Sequence, residues 1–442
     1  MRFPMRTTCL LALPVALAGV AAAATIRVPD DYPSVLAAVD AAAEADTVLI
    51  GPGTWSEQEE RVVSIEGIDV LVNGNAFPRH GMTIRGEQGA ATTTLAPGNE
   101  DGYVVLVEFT VPNGSVPLTL EGLTLSGAQR GIQSFGNGGL IVRDCRFVDH
   151  GPAERGGHGA AIGAQASDVS MIDCEVSSCS SFDGVVRLYG GASLELRSCV
   201  FEANEGKCVR VDNFGDRVPR SVVVVDCRFA ANHVADAGAC LWLSHTPDVL
   251  VARNVFAGNA ALYVGGAVLL SDCGNATRGP ATLEFNVFAY DSSLAGSLGG
   301  GAIFASFSDV HVRNNTFFGC HASLGGGAFS IQSGSVSFDR NVLVQSLTTP
   351  AVFASLSPVV TTNVCNLYQD NVANYGGSWV ESAEDVHADP LFCDPPLEDW
   401  TVRENSPCAI GPCAPIGALG VGCEALAVYA TSWSNIKAAF RR

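Results

Sequence analysis

A short pattern of apolar and polar positions repeats along the middle of the chain. Each copy has an apolar residue, two variable residues, a Cys or Asn, one variable residue and a second apolar residue, as in Val142-Arg143-Asp144-Cys145-Arg146-Phe147. The marked residues are Cys145, Cys174, Cys199, Cys227, Asn254, Asn286, Asn315 and Asn341, which lie 25 to 32 residues apart. A period of about 27 residues that tolerates insertions predicts an all-β parallel β-helix, in which each coil has three short strands and extra residues bulge at a turn.

The Cys and Asn positions are expected to form one column inside the stack. Coils in such a fold lie about 4.8 Å apart, so equivalent side chains become vertical neighbours. We predict that the four asparagines pass amide hydrogen bonds from coil to coil and that the four cysteines act as small buried apolar groups. A metal row is disfavoured, because one residue per coil gives no tetrahedral pocket. A second polar row, five residues further on, is predicted to be a turn ladder and comprises Asn204, Asn232, Asn259 and Asp291.

The other half of each copy begins with Gly-Ala and alternates, as in Gly301-Ala302-Ile303-Phe304-Ala305-Ser306, which predicts a strand. Aligning these strands gives an outward row of Gly163, Arg187, Arg210, Trp242, Leu269, Phe304, Ser330 and Phe353, with Tyr189 and Asp212 on the same face. A Trp beside two arginines suits a sugar chain, since the ring stacks on sugars and guanidiniums bind hydroxyls or carboxylates. The ligand-binding candidates are therefore Arg187, Tyr189, Arg210, Asp212 and Trp242. The alternative is that turn insertions cover this face and the aromatics pack beneath them.

The pattern divides the chain into four segments. Residues 1–24 are predicted to be a signal peptide, because Arg2 and Arg6 precede an apolar run of 11 residues, Leu10 to Val20, too short to span a bilayer. Residues 25–390 are assigned to the β-helix, including a helix at 33–44 that covers the first coil, with Ser34 as its N-cap. Residues 391–424 form a Cys-, Pro- and Gly-rich C-terminal cap. Residues 425–442 form a tail with two interpretations. It is either a helix docked on the stack or a frayed end, or it serves as a sorting or attachment signal.

The cysteines agree with export. Removing the predicted signal peptide takes one of the 15 cysteines, Cys9, and leaves an even number. An exported chain is permitted disulfides. The disulfide candidates crowd the C-terminal region and are Cys365, Cys393, Cys408, Cys413 and Cys423. Their pairing stays open. The predicted location is secreted or extracellular, and attachment to the cell surface through the tail also stays open.

Several segments resemble one known group. They are Val28-Pro29-Asp30-Asp31-Tyr32-Pro33, Asp46-Thr47-Val48-Leu49, Gly51-Pro52-Gly53-Thr54-Trp55-Ser56-Glu57, Met82-Thr83-Ile84-Arg85-Gly86, Ala388-Asp389-Pro390-Leu391-Phe392-Cys393 and Asn405-Ser406-Pro407-Cys408. They look like the opening and ending of bacterial right-handed parallel β-helix repeat proteins of the pectin-lyase-like superfamily. The resemblance covers nearly the whole mature chain. It implies a right-handed parallel β-helix and leaves the reaction open, although the superfamily includes polysaccharide lyases and hydrolases.

The charge narrows the set of partners. A formal net charge of −20 should repel nucleic acids and anionic lipid headgroups. It suits divalent cations or neutral sugars, and it also keeps an extracellular protein soluble. We predict an extracellular polysaccharide or another surface component as partner, with no nucleic acid and no transmembrane segment. No cofactor is predicted. Calcium binding stays open on composition alone, because the sequence contains no EF-hand loop that would indicate a site.

The best candidates for catalysis lie in one short segment that holds an acid, a base and a cation. They are Asp149, His150, Glu154, Arg155 and His158. The alternative is an exposed turn insertion with ordinary polar residues. Because there is also no phosphate loop, nucleophile elbow or metal-spaced cluster, we expect a non-catalytic module that binds polysaccharide or another extracellular partner along one sheet face. A purely structural or adhesive solenoid and a polysaccharide lyase or glycoside hydrolase are the alternatives.

Overall fold

The fold comes from a computed structural model of the 442-residue chain. The residues that it describes are 23–57, 59–65, 68–76, 78, 81–97, 102–107, 116–136, 138–152, 159–213, 220–275, 279–295, 299–356 and 358–423. All but two residues of the predicted signal peptide lie outside the described residues, as does the tail 425–442.

Parallel strands stack in register and build three long faces, which we name A, B and C. One turn of the chain, called a rung, runs through Val186–Tyr189 on face A, Leu194–Arg197 on face B and Val200–Glu202 on face C. It then returns to face A at Val209–Asp212, which pairs in parallel with Val186–Tyr189. The predicted all-β parallel β-helix is confirmed.

The strands of each face follow in chain order. Face A contains Tyr103–Leu106, Arg130–Phe135, Ile162–Gln165, Val186–Tyr189, Val209–Asp212, Leu241–Ser244, Val268–Ser271, the first part of Ile303–Arg313, the first part of Phe329–Asp339, Val352–Ser355 and Tyr375–Gly377. Face B contains Thr25–Val28, Thr47–Ile50, Thr83–Gly86, Leu118–Glu121, Leu140–Arg143, Val169–Ile172, Leu194–Arg197, Ser221–Val225, Asp248–Ala252, Ala281–Glu284, the second parts of the same two long strands, and Val359–Val364.

Face C and a small corner sheet complete the rungs. Face C contains Gly53–Trp55, Thr93–Leu95, Thr124–Ser126, Arg146–Val148, Glu175–Ser177, Val200–Glu202, Arg228–Ala230, Val255–Ala257, Val287–Ala289, Thr316–Phe318, Val342–Val344, Leu367–Gln369 and Val386–His387. The corner sheet between faces C and A contains Ser180–Ser181, Glu205–Gly206, His233–Val234, Ala260–Ala261, Ser292–Ser293 and His321–Ala322.

A few elements depart from the rung pattern. The helix Val35–Ala41 is shorter than the predicted 33–44, and Ser34 is its N-cap, with the Ser34 side chain accepting a hydrogen bond from the Ala37 amide. Glu59–Ile65 and Ile68–Ala76 form an antiparallel hairpin. Near the C-terminus, Phe392–Asp394 pairs antiparallel with Asp399–Val402 around the 3₁₀ helix Pro395–Leu397.

Alternating apolar residues fill the interior. The side chains of Phe201, Phe229, Phe256, Phe288 and Phe317 stack with ring centroids 4.8 to 5.0 Å apart. This spacing is that of neighbouring strands in a sheet, so each ring lies directly above the ring of the previous rung. The column of rings fixes the vertical register of the whole stack.

The structure places the repeated Cys and Asn residues in one buried column. Asn286 donates from its backbone N–H and from Nδ2 to Asn315 Oδ1, at 2.9 and 3.0 Å, and the same pair of bonds links Asn254 to Asn286. The column continues to Asn366, which accepts from Asn341. On the cysteine side, the Cys199 Sγ donates to backbone carbonyl oxygens at 3.3 and 3.4 Å.

The second polar row is a similar ladder in which His150 and Cys179 occupy the first rungs. Asn232 donates to Asn259 Oδ1, and Asn259 donates to Asp291 Oδ1 from both its backbone N–H and its Nδ2. Asp291 is fully buried, and its Oδ2 has no hydrogen-bond partner. Burial therefore raises the pKa of Asp291 to about 7.

The C-terminal segment is tied by disulfides and lies along the outside of face C. The pairs are Cys365–Cys413 and Cys393–Cys423, whereas Cys408 is a free buried thiol. The predicted disulfide-tied C-terminal segment is thus confirmed, and four of the five candidate cysteines form the bonds. Trp379 packs at the end of the core against Phe329 and Phe338 and is 6% exposed.

Candidate functional site

The predicted outward row forms a continuous column on face A. Strand register pairs Gly163 with Arg187, Arg187 with Arg210, and Arg210 with Trp242. The column continues through Leu269, Phe304, Ser330 and Phe353. Alternation explains the placement, because Val186 and Leu188 point into the core and Arg187 between them must point outward.

Arg187 and Arg210 are stacked one rung apart, and both donate to Asp183, Arg187 to its backbone carbonyl and Arg210 to its carboxylate. Arg187 Nη1 donates to the Asp183 carbonyl oxygen at 3.3 Å, and Arg210 Nη1 donates to Asp183 Oδ1 at 3.4 Å. Arg210 Nη2 also donates to Asp212 Oδ2 at 3.4 Å. The Nε atoms of both arginines are buried and lack a hydrogen-bond partner. Burial, and then repulsion from Arg210, lowers the pKa of Arg187.

The ring of Trp242 contacts two cations. Lys207 Nζ lies 4.7 Å and Arg210 Cζ lies 4.9 Å from the ring centroid, which are cation–π distances. The Lys207 side chain is 0% exposed and donates to Asp236 Oδ2 at 2.8 Å. Burial lowers the pKa of Lys207, and the bond to Asp236 opposes that shift. Trp242 therefore orders the basic side chains beside it, while part of its surface stays exposed.

A partly exposed polar strip runs beside this column, two residues further along each strand. Tyr189 donates its hydroxyl to Gln165 Oε1 at 3.2 Å, and Asp212 is its neighbour on the next rung. Ser244 is the next residue of the strip, and His245 follows it in the chain, with Nδ1 at 3.9 Å from Asp212 Oδ1 and Nε2 at 3.7 Å from Asp272 Oδ2. The strip thus brings a phenol, an imidazole and carboxylates to the side of the arginine pair.

Further along the stack, the same column is covered. Leu269 and Phe304 are 6% and 5% exposed and pack with Ala237, Val264 and Trp242. Ala237 and Val264 belong to the turns that lead from the corner sheet to face A. Turn residues therefore cover the aromatic and aliphatic part of the row, whereas in the arginine part Arg187 is 9% exposed and the Arg210 side chain is 18% exposed.

The five residues proposed for catalysis from the sequence are not gathered into a site by the described residues. Asp149 is an exposed turn residue with a φ of 56°. His150 is 1% exposed, and its ring nitrogens lie 3.2 and 3.0 Å from the carbonyl oxygens of Ala128 and Leu125. Burial lowers the pKa of His150 to about 4. Glu154, Arg155 and His158 lie outside the described residues.

Lys207, Asp183 and His245 lie beside Arg187, Arg210 and Trp242, and we call these six residues the arginine cluster. The first three were not singled out from the sequence. One signal existed for Lys207: it follows Gly206 where later coils carry Gly-Ala, as in Gly266-Ala267. A lysine in place of that alanine indicates a charge held under a turn. Asp183 and His245 lie in turns, where the repeat pattern gives no register.

Among the described residues, no group of three or more His, Cys, Asp and Glu side chains is arranged to hold a metal ion. Over those residues, no helix combines the length and apolar character needed to cross a membrane.

Comparison with known proteins supports the fold. Residues 109–277 match the family model described as "Right handed beta helix region". No curated protein sequence matches the chain significantly. The A-module of the Azotobacter vinelandii mannuronan C-5 epimerase AlgE4 is 15% identical, with a TM-score of 0.38 over 81% of this chain and 96% of that one. The AlgE6 A-module from the same organism is 12% identical, with a TM-score of 0.43 over 80% of this chain and 94% of that one.

The family match and the parallel rungs agree with the resemblance found in the sequence. We conclude that the chain folds as a parallel β-helix, with residues 109–277 matching the right-handed β-helix family model.

Proposed function

We propose that the protein is an extracellular binding module that holds an acidic polysaccharide against face A without altering it. The ligand contacts are Arg187, Tyr189, Arg210, Asp212 and Trp242. The arginines bind sugar carboxylates, and the polar strip binds hydroxyl groups. Export is supported by two disulfides near the C-terminus, which form and persist in oxidising compartments.

The observation that carries the proposal is the pair of arginines stacked on neighbouring rungs. Two like charges in register repel each other, and their shared acceptor Asp183 lies at a long hydrogen-bond distance of 3.4 Å from Arg210. A ligand carboxylate beside the guanidinium groups would add a negative charge and reduce the repulsion. A linear acidic polymer presents such groups at regular intervals, as the column does.

Trp242 has a supporting role in this proposal. Because its ring contacts Lys207 and Arg210, the indole holds the Arg210 guanidinium in place. We expect the exposed part of the indole to border the sugar. This differs from the open stacking surface expected from the sequence, since two cations already lie against the ring.

The test is binding of polygalacturonate, alginate and hyaluronate to the full-length protein, measured by calorimetry. Arg210→Gln should weaken binding about tenfold, because one charged hydrogen-bonding group is lost. Arg187→Gln should have an effect of similar size. The neutral polymer dextran should bind weakly or not at all, since it offers no carboxylate.

Arg197→Gln is the matched control. Arg197 lies on the next strand of the same rung as Arg187 but points outward from face B. Its replacement changes the net charge equally and should leave the affinity unchanged. Equal weakening by Arg197→Gln and Arg210→Gln would mean that binding follows only the total charge, and the assignment to face A would fail.

A polysaccharide lyase is the second candidate, and His245 favours it. The imidazole lies between the carboxylates of Asp212 and Asp272, at 3.9 and 3.7 Å. A lyase needs a base that removes the proton next to the sugar carboxylate and a cation that neutralises that carboxylate. His245 and Arg210 would supply these groups.

Product formation separates the two candidates. Incubation of the same acidic polymers with the protein should yield no unsaturated ends, which are detected by ultraviolet absorbance. Release of unsaturated ends that disappears in His245→Ala would establish the lyase and overturn the non-catalytic proposal.

A further inference from the structure

Face B carries a polar groove in the second half of the stack, away from the arginine cluster. It is lined by Asn275, Gly279, Pro280, Asp309, Val310, His311, Ser335 and Thr361. Its volume is about 250 Å³, close to the lower end of the range for small-molecule sites, about 300 Å³. Three departures from the regular rung converge on this groove, and each of them shapes one of its sides.

The first departure is an insertion that forms one wall. Asn275 and Gly279 exchange backbone hydrogen bonds of 3.0 and 2.8 Å, which holds these two residues together at the corner between faces A and B. Gly274, with a φ of 70°, joins Asn275 to the stack. A Cβ at Gly274 would clash with the Asp309 carbonyl oxygen, so only glycine lets the wall approach Asp309 this closely.

The second departure is the floor. On most rungs the strands of faces A and B are separate, but Ile303–Arg313 and Phe329–Asp339 each continue from face A to face B as one strand, with Phe307 and Ser333 turning the chain at the corner at φ of 50° and 63°. They pair in parallel from Ile303 to Arg313, including Asp309 with Ser335. A Cβ at Gly334 would clash with the Ser308 carbonyl oxygen, which explains the glycine at this point of the continuous pair.

The third departure is a β-bulge that supplies the far side. The register between Phe329–Asp339 and Val359–Val364 shifts between Val336 and Ser337, and Thr361 is the extra residue. Thr361 Oγ1 donates to the Val336 carbonyl oxygen at 3.0 Å. Bulges redirect a side chain out of the regular alternation, and here the redirected residue lines the groove.

The chemistry of the lining points to a neutral sugar. Asp309 Oδ1 accepts a hydrogen bond of 2.7 Å from Ser335 Oγ, and His311, Thr361 and the Asn275 amide add further donors and acceptors. The Asp309 carboxylate brings a negative charge to the groove, which disfavours an anionic ligand, and the described lining residues include no Lys or Arg. The ring of Pro280 offers an apolar surface. Sugar sites combine such convergent polar groups with an apolar contact.

We propose that this groove is a second carbohydrate site, which binds one neutral hexose unit by hydrogen bonds from its hydroxyl groups to Asp309, His311, Ser335 and Thr361. The Asp309 carboxylate accepts from two neighbouring hydroxyls. The site is independent of the arginine cluster, and it stands whether or not face A binds an acidic polymer.

Saturation-transfer NMR and titration of methyl glucoside, methyl galactoside and methyl mannoside against the full-length protein test the proposal. At least one hexoside should bind in the millimolar range. Asp309→Asn should weaken that binding about tenfold, because the charged acceptor becomes a weaker one. Thr361→Val, a variant on an exposed strand that tolerates change, should weaken it by a smaller factor.

Asp248→Asn is the matched control, since Asp248 lies in the same column of face B two rungs earlier, outside the groove. It should leave hexoside binding unchanged, and so should Arg210→Gln. Three results would overturn the proposal: no hexoside binding to the unaltered protein, binding that survives Asp309→Asn, or binding that is lost with Arg210→Gln.

Discussion

The two halves of the stack share one backbone but use their outer surfaces differently. We define the first half as the rungs that carry Cys145 to Cys227 and the second half as those that carry Asn254 to Asn366. On face C, the first half exposes Arg146, Glu175 and Glu202 to solvent. The second half instead buries Val287, Phe318 and Val342 beneath the C-terminal segment. Face A shows the same contrast, with charged residues in the first half and covered apolar residues in the second.

The interior of a rung accepts either asparagine or cysteine at the same position, as long as the vertical spacing between rungs is kept. Asn286 makes two hydrogen bonds to Asn315 and accepts two from Asn254, whereas Cys199 makes only weak bonds from sulfur. Both residue types fit the same turn. The exteriors of the two halves differ: apolar residues of the second half pack beneath other segments on faces A and C, and the first half carries charged side chains there.

The largest effect should come from the amide ladder. Asn286→Ala removes four hydrogen bonds and leaves the buried Asn254 backbone N–H without its acceptor, although the backbone N–H of residue 286 still donates to Asn315 Oδ1. We expect a loss of about 3–6 kcal/mol in the free energy of unfolding, measured by denaturant titration. A loss below about 1 kcal/mol would show that the ladder contributes little beyond packing.

The covering of face C is tested at Trp400. This residue is 2% exposed and its ring centroid lies 4.7 Å from that of Phe318. Trp400→Ala should cost about 3–4 kcal/mol and increase hydrogen exchange of residues 391–423 more than that of the rungs. Equal loosening of the first half would contradict the division into two halves.

The buried Asp291 makes the stability depend on pH. Its pKa is raised by burial from 3.8 to about 7, so the folded state binds the proton more tightly than the unfolded state. Stability from this group is present at low pH and is lost as the pH rises through about 7. Asp291→Asn should remove this dependence and stabilise the protein at pH 8 by a few kcal/mol, about 4 at most. Thermal unfolding at pH 5 and pH 8 measures it, and an Asn variant that is less stable at pH 8 would contradict this account.

The smallest effect is expected in the cysteine column. Cys199→Ala removes one sulfur and its weak hydrogen bonds to carbonyl oxygens. The expected loss is about 1–2 kcal/mol in the free energy of unfolding. A loss as large as that of Asn286→Ala would remove the difference between the two halves.

Much of the fold could be predicted from the sequence, because residues at equivalent positions of successive repeats lie one above another in the stack. The interval between Arg187, Arg210 and Trp242 was sufficient to align them, since insertions fall at turns and leave the strands in register. The C-terminal cysteines likewise indicated disulfides, although Cys408 stays free. The pairing could not be predicted, because it depends on how the segment lies on face C.

The candidate site was less accessible from the sequence. Asp183 and His245 lie in turns, where no period fixes the side-chain direction. The contact of Lys207 with Trp242 depends on a turn of one rung reaching the strand of the next. The groove at Asp309 depends on an insertion and a bulge, which interrupt the repeat that made the other predictions feasible.

The central claim is that face A from Val186–Tyr189 to Leu241–Ser244 is the ligand surface. Hydrogen exchange with and without polygalacturonate oligomers, followed by mass spectrometry, tests it most directly. Slower exchange is predicted in residues 182–189, 206–212 and 241–246, with no change in residues 264–306. Slowing confined to residues 264–306, or no slowing anywhere while the oligomer is bound, would contradict the claim.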